Sequence, residues 1–151
     1  MADLKGGEPV WQAGGTYPLE GGYFYLNPAN SPTYVYSLGF TSGGLPSFTL
    51  AAMTAEYAPP NAGVGPPVIT SYQGQPGTAI LWVCDPNNRL RAYLAVPQDG
   101  KMVRLTLPAA PAINKFQRPA FGNGRYYIAS NAGAVYVCLT LENKQLLLTH
   151  Q

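Results

Sequence analysis

Apolar positions along the chain come in short alternating or continuous runs, each cut off by glycine, proline or asparagine. No stretch keeps apolar residues at helical spacing for more than one turn, so the pattern predicts strands throughout and no helix. The stretch "RPAFGNGRYYIASNAGAVYV" shows the form most plainly: two β-prone runs, 126–129 and 134–137, flank a Ser-Asn-Ala-Gly turn. Such a pair of runs predicts an antiparallel hairpin.

The hairpin has counterparts. Val135-Tyr136 matches Ala92-Tyr93 in "RLRAYLAV" and Val35-Tyr36 in "PTYVYSLG". Upstream of each pair lies a second aromatic, Tyr127, Trp82 and Tyr25, at gaps of 9, 11 and 11 residues. Each copy opens on a proline-led strand at Pro18, Pro67 or Pro119 and closes on another strand, from Ser47, Lys101 or Lys144. The inner turns, "NPANSP", "DPNNR" and "SNAG", carry the Asn, Asp and Gly that tolerate a left-handed backbone. The unit is therefore four strands, repeated three times with a period of about fifty residues, the spacing of β-propeller blades. We read the chain as all-β, a single domain of 1–151, with four-stranded antiparallel blades at approximately 8–57, 58–108 and 109–151. A blade has two apolar faces and buries them by stacking on its neighbours. Tyr25, Tyr36, Trp82, Tyr93, Tyr127 and Tyr136 are then expected to pack between blades.

Composition agrees with many short elements joined by sharp turns: 17 glycines and 15 prolines against 11% charged residues. A hydrophobic fraction of 46% argues against disorder. The net charge of +2 comes from nine scattered basic residues rather than a basic stripe, which excludes a nucleic-acid binder. No apolar run is long enough to span a bilayer. The opening "MADLKGGEPV" has no hydrophobic stretch, which reads as cytoplasmic, or as secreted if a leader has been removed. Cys84 and Cys138 each sit inside an apolar run, so reduced, structural thiols are expected rather than a disulfide framework.

"GTAILWVCDPNNRLRAYLAVPQDG" and "NKFQRPAFGNGRYYIASNAGAVYVC" resemble the C-terminal portion of fungal proteins with quinoprotein-like (PQQ-type) propeller repeats, and "GGTYPLEGGYFYL" fits the preceding blade. The resemblance runs from about Glu8 to Leu141 and implies a propeller fold, while family members are much longer than this chain. It does not bring the quinone site: there is no vicinal cysteine pair and no cluster of acids to hold calcium. No cofactor and no metal is therefore expected. Three blades fall short of a closed ring, which typically has about four to eight. Self-association into a six-bladed homodimeric ring is the favoured way to cover the end faces; the other is that the chain is half of a larger propeller.

Candidate chemistry is sparse. His150, the only histidine, is the penultimate residue, which disfavours a Ser-His-Asp or Cys-His machine. A carboxylate pair such as Glu20 and Asp85 is the weaker catalytic option. The chain is read as non-enzymatic and ligand-binding, with carbohydrate the favoured ligand, because aromatic faces stack on sugars and Asn, Asp, Gln and Arg orient hydroxyls. The polar turn with Asp85, Asn87, Asn88 and Arg89 is the best local candidate. Tyr17 and Arg118, which precede strand-opening prolines, join it as residues expected to point towards a ring axis. Arg91 is expected instead to be an inter-blade ion-pair or hydrogen-bond partner. A lectin-like protein is thus the first reading and an assembly scaffold without cofactor the second.

Overall fold

A computed structural model of the chain describes residues 10–11, 22–61, 63–72 and 77–139. They form eleven strands: β1 (Val10–Trp11), β2 (Gly22–Leu26), β3 (Pro32–Phe40), β4 (Pro46–Tyr57), β5 (Val68–Thr70), β6 (Ile80–Asp85), β7 (Arg89–Leu94), β8 (Arg104–Leu105), β9 (Ala120–Gly122), β10 (Arg125–Ala129) and β11 (Val135–Leu139). No helix occurs among the described residues. Each strand pairs antiparallel with its chain neighbour, giving sheets β1-β2-β3-β4, β5-β6-β7-β8 and β9-β10-β11. The proline-led strands expected at Pro67 and Pro119 are β5 and β9. The stretch around Pro18, and the closing strand expected from Lys144, lie outside the described residues.

Turn chemistry explains the hairpins. Asn30 between β2 and β3 (φ 55) and Gly133 between β10 and β11 (φ 80) take the left-handed conformation that these residue types tolerate. In the β6–β7 turn the left-handed residue is Arg89 (φ 62), not one of the asparagines.

The sheets stack in chain order. Tyr25, Val35 and Ala52 of the first sheet share a core with Leu81, Val83 and Tyr93 of the second. Trp82, Cys84, Leu90 and Ala92 of the second share another with Tyr126 and Ile128 of the third. Alternate residues of β6 thus enter opposite cores, as the two-residue period of a strand requires. The strand is buried on both faces, with Leu81 and Val83 at 0% exposure. Each such large apolar side chain contributes about 1.5–3 kcal/mol on burial. The Tyr25 hydroxyl donates to the Ala95 carbonyl at 2.7 Å, tying the first sheet to the second with a buried hydrogen bond.

The connections between sheets add to these cores: Val64 of the first and Ile113 of the second are both buried. Gly65 donates its N–H to the Cys84 carbonyl at 2.8 Å. A Cβ at Gly65 would lie 2.0 Å from the Gln117 carbonyl oxygen, so only glycine lets the two connections cross here. Gly65→Ala is expected to cost about 1–3 kcal/mol through forced backbone displacement, read as a lowered Tm in a thermal melt.

Pairing register aligns the copies. Tyr25 faces Val35, Trp82 faces Ala92 and Tyr127 faces Val137 across their hairpins. On the other face the matching pairs are Phe24–Tyr36, Leu81–Tyr93 and Tyr126–Cys138. Cys138, and not Tyr136, therefore holds the register position of Tyr36 and Tyr93. Of the six aromatics expected between sheets, Tyr25, Trp82 and Tyr93 are in the two cores. Tyr36 and Tyr127 lie instead on the outer faces of the end sheets, and Tyr136 is 44% exposed on β11. Tyr126 takes the inward role in the third sheet.

Candidate functional site

The polar turn of residues 85–89 is built around a buried carboxylate. Asp85 Oδ1 accepts the backbone N–H groups of Asn87 and Asn88 at 2.8 and 3.1 Å. Its Oδ2 accepts the Asn88 side-chain amide at 3.0 Å and pairs with the Arg91 guanidinium at 3.2 Å. Asp85 is 0% exposed, which makes it a brace for the hairpin and takes it out of reach of a ligand. The carboxylate-pair option loses this member, and Glu20 lies outside the described residues.

Arg91, 1% exposed, continues a polar chain between the first two sheets. Its Nη1 donates to the Tyr93 hydroxyl at 3.4 Å, and that hydroxyl donates to Glu56 Oε2 at 2.7 Å. Glu56 Oε1 pairs with Arg104. Arg91 thus makes its ion pair within its own sheet, with Asp85, and not between sheets as expected; it reaches β4 only through the Tyr93 hydroxyl. Burial raises the Glu56 carboxyl, but the hydrogen bond from Tyr93, its own backbone and the Arg104 and Arg91 charges outweigh it and hold the group below its ordinary value. A carboxyl lowered in the folded state stabilises above its unfolded pKa, and the gain disappears as pH falls through the lowered one. Stability is therefore expected to fall below about pH 4, and Glu56→Gln to flatten that part of a urea-midpoint profile against pH.

Beside the turn, β7, β8 and the connection after them enclose an open groove of ≈ 520 Å³, within the size range of small-ligand sites. Asn88, Arg89, Leu90, Arg104, Leu105 and residues 106–110 line it. Arg89 Nη1 donates to the Ala110 carbonyl at 2.6 Å, which holds one guanidinium along a wall. The Arg104 guanidinium, held by Glu56, supplies a second. Both retain further N–H donors, so the groove is equipped to bind ligand oxygens, hydroxyl or carboxylate.

Of the residues singled out from sequence, the structure brings Asn88 and Arg89 to this groove. Asn87 is exposed on the same turn, Arg118 is exposed on the connection before β9 and does not line the groove, and Tyr17 is outside the described residues. Arg104 was not singled out; its sole sequence signal is a charge within the run "MVRLTL".

Cys84 is a free, buried thiol pushed up to about 12 by burial, which makes it inert as a nucleophile. Among the described residues no three His, Cys, Asp or Glu side chains gather as metal ligands, and no helix is long and apolar enough to cross a membrane. Compared with protein-family models, curated proteins and solved structures, the chain finds no match.

Proposed function

We propose that this chain is a three-blade segment of a β-propeller that works by binding, not by turnover, with the groove beside the 85–89 turn as its ligand site. One observation carries the blade reading. The middle sheet is buried on both faces, while the equivalent faces of the end sheets carry exposed Phe48 (55%), Leu50 (47%), Val135 (66%) and Val137 (51%). Among the described residues, sheets built to be covered twice are covered once, which is the condition of blades lacking their neighbours. The resemblance to quinoprotein-like repeats points the same way, since the quoted stretches supply the two central strands of the middle sheet, β6 and β7, and the strands of the third sheet. Binding, not turnover, fits the acids: Asp85 is spent on Arg91 and the turn, Glu56 on Tyr93 and Arg104.

Carbohydrate is the favoured ligand because the groove sets amide and guanidinium donors beside apolar Leu90 and Leu105. A glycan array with the full chain is expected to show binding that Asn88→Ala and Arg104→Gln abolish, each lowering stability by no more than about 1.5 kcal/mol, so that the variants remain folded. Binding indifferent to both substitutions would remove the groove as the site. The second reading, a scaffold without ligand, is favoured by the absence of any aromatic ring among the groove's lining residues, which leaves a sugar no stacking face. Retention of no glycan at all would select it.

A further inference from the structure

Resting on the blade reading, we infer that the missing neighbour of each end sheet is a second copy of this chain, docked head to tail. The argument is the continuation of an interface that the chain already makes twice. In the first instance, Tyr25 and Val35 of one sheet meet Leu81 and Tyr93 of the next. In the second, Trp82 and Ala92 meet Tyr126, with the Trp82 and Tyr126 rings 5.4 Å apart. Register carries the pattern to the ends. Tyr127 and Val137 occupy the positions of Tyr25–Val35 and Trp82–Ala92 on the outer face of the third sheet. Phe24 and Tyr36 occupy the positions of Leu81–Tyr93 on the outer face of the first.

One chain therefore owns both halves of a third interface and cannot join them, because the middle sheet stands between them. Two copies can. The third sheet of each meets the first sheet of the other, both contacts form under one two-fold axis, and the ring closes at six sheets, within the range of closed propellers.

The chemistry of the faces fits. The outer row of the first sheet extends through Leu38, Phe48 and Leu50, paired on one face with Tyr36 and its neighbours, and the Phe24 and Phe48 rings already meet in a tilted contact at 5.8 Å. Phe40, Leu45, Phe48, Leu50, Met53 and Tyr57 are all exposed along β4 and the hairpin that leads into it. At roughly 100 Å² each they offer about 600 Å², close to the roughly 800 Å² per partner that a stable interface buries. The copy's complementary face adds Val135 and Val137.

Sedimentation velocity of the full chain tests this together with Leu50→Asp and Val137→Asp, which place a charge on opposite end faces at side chains already half exposed. The wild type is expected at twice the chain mass at micromolar concentration. Each variant is expected to sediment as a monomer with an unchanged far-UV spectrum. Mixing the two variants is expected to recover part of the dimer, since each retains the face that the other has lost. A dimer broken by Leu50→Asp but not by Val137→Asp would mean first sheet on first sheet and would overturn the head-to-tail contact while leaving the blades in place. A wild type monomeric at 100 μM overturns the second copy as partner. The blade reading is then tested separately by whether the exposed faces bind a hydrophobic dye that Leu50→Asp and Val137→Asp each reduce.

Discussion

Arg91→Ala is expected to lower folding stability by about 3–5 kcal/mol, the cost of breaking one side of a buried ion pair. Total stability for a domain of this kind is about 5–15 kcal/mol, so the variant sits near the edge of folding at 37 °C. The size follows from geometry. Arg91 is 1% and Asp85 0% exposed, so water cannot replace the lost guanidinium. The Asp85 carboxylate would keep its bonds from the 87 and 88 amides but lose its only charged partner among the described residues, and the Tyr93 hydroxyl would lose a donor. Urea unfolding reads the change as a shifted midpoint with an unchanged slope. The double variant Asp85→Asn/Arg91→Met carries no buried charge and retains an oxygen for the turn amides, so it is expected to recover most of the loss. Arg89→Ala, which removes an exposed side chain and one bond to the Ala110 carbonyl, is the control and should change stability by less than about 1.5 kcal/mol. A loss below about 1 kcal/mol for Arg91→Ala would show that the pair is open to solvent and the first two sheets are not closed around it.

The contrast between Arg91 and Tyr136 shows what could be read from residue order alone. Arg91 sits two positions from the Arg89–Asp85 pair across a tight turn, so strand alternation places it on the face of Asp85. That relation is local and legible. Tyr136 matches Tyr36 and Tyr93 by residue type alone; the pairs Tyr25–Val35, Trp82–Ala92 and Tyr127–Val137 are equally far apart along the chain, so pairing register puts Cys138, and not Tyr136, at the equivalent position. Tyr126 and Tyr127 cannot be told apart by residue type: neighbours on a strand face opposite ways, and a row of two tyrosines does not say which is inside. The groove was half visible. Asn88 and Arg89 announce themselves as the most polar turn, whereas Arg104 lies on a two-residue strand and is oriented by Glu56 from another sheet. Contacts of that sequence separation leave no local pattern. The burial of Asp85 was hidden too, because a polar turn ordinarily signals an exposed loop.

Trp82→Ala is the second large effect, with an expected loss of about 3–5 kcal/mol. The indole is 3% exposed and fills the core between the second and third sheets, with ring centroids 5.2 Å from Phe121 and 5.4 Å from Tyr126. Its Nε1 donates to the Thr70 hydroxyl at 2.8 Å, which also fixes β5 against β6. Truncation removes three ring contacts at once, two aromatic and one polar, and leaves a cavity that strands on both sides cannot close without moving. The damage should be uneven. Hydrogen exchange is expected to accelerate first in β9 and β10, whose inward side chains lose their partner, while β2 and β3 keep their protection through the separate core around Tyr25 and Val35. Trp82→Phe keeps one six-membered ring but gives up the rest of the indole and its hydrogen bond, so its cost should be intermediate, about 2–3 kcal/mol. Tyr127 offers the sharpest comparison, because it holds the position of Trp82 in the next sheet and, among the described residues, has no sheet of its own chain beyond it. In a monomer Tyr127→Ala is expected to cost less than about 1 kcal/mol, whereas in the closed ring its cost should rise towards that of Trp82→Ala. If the proposed ring forms, the difference between those two numbers, measured on Leu50→Asp and on the wild type, is the free energy that its closure adds at that position.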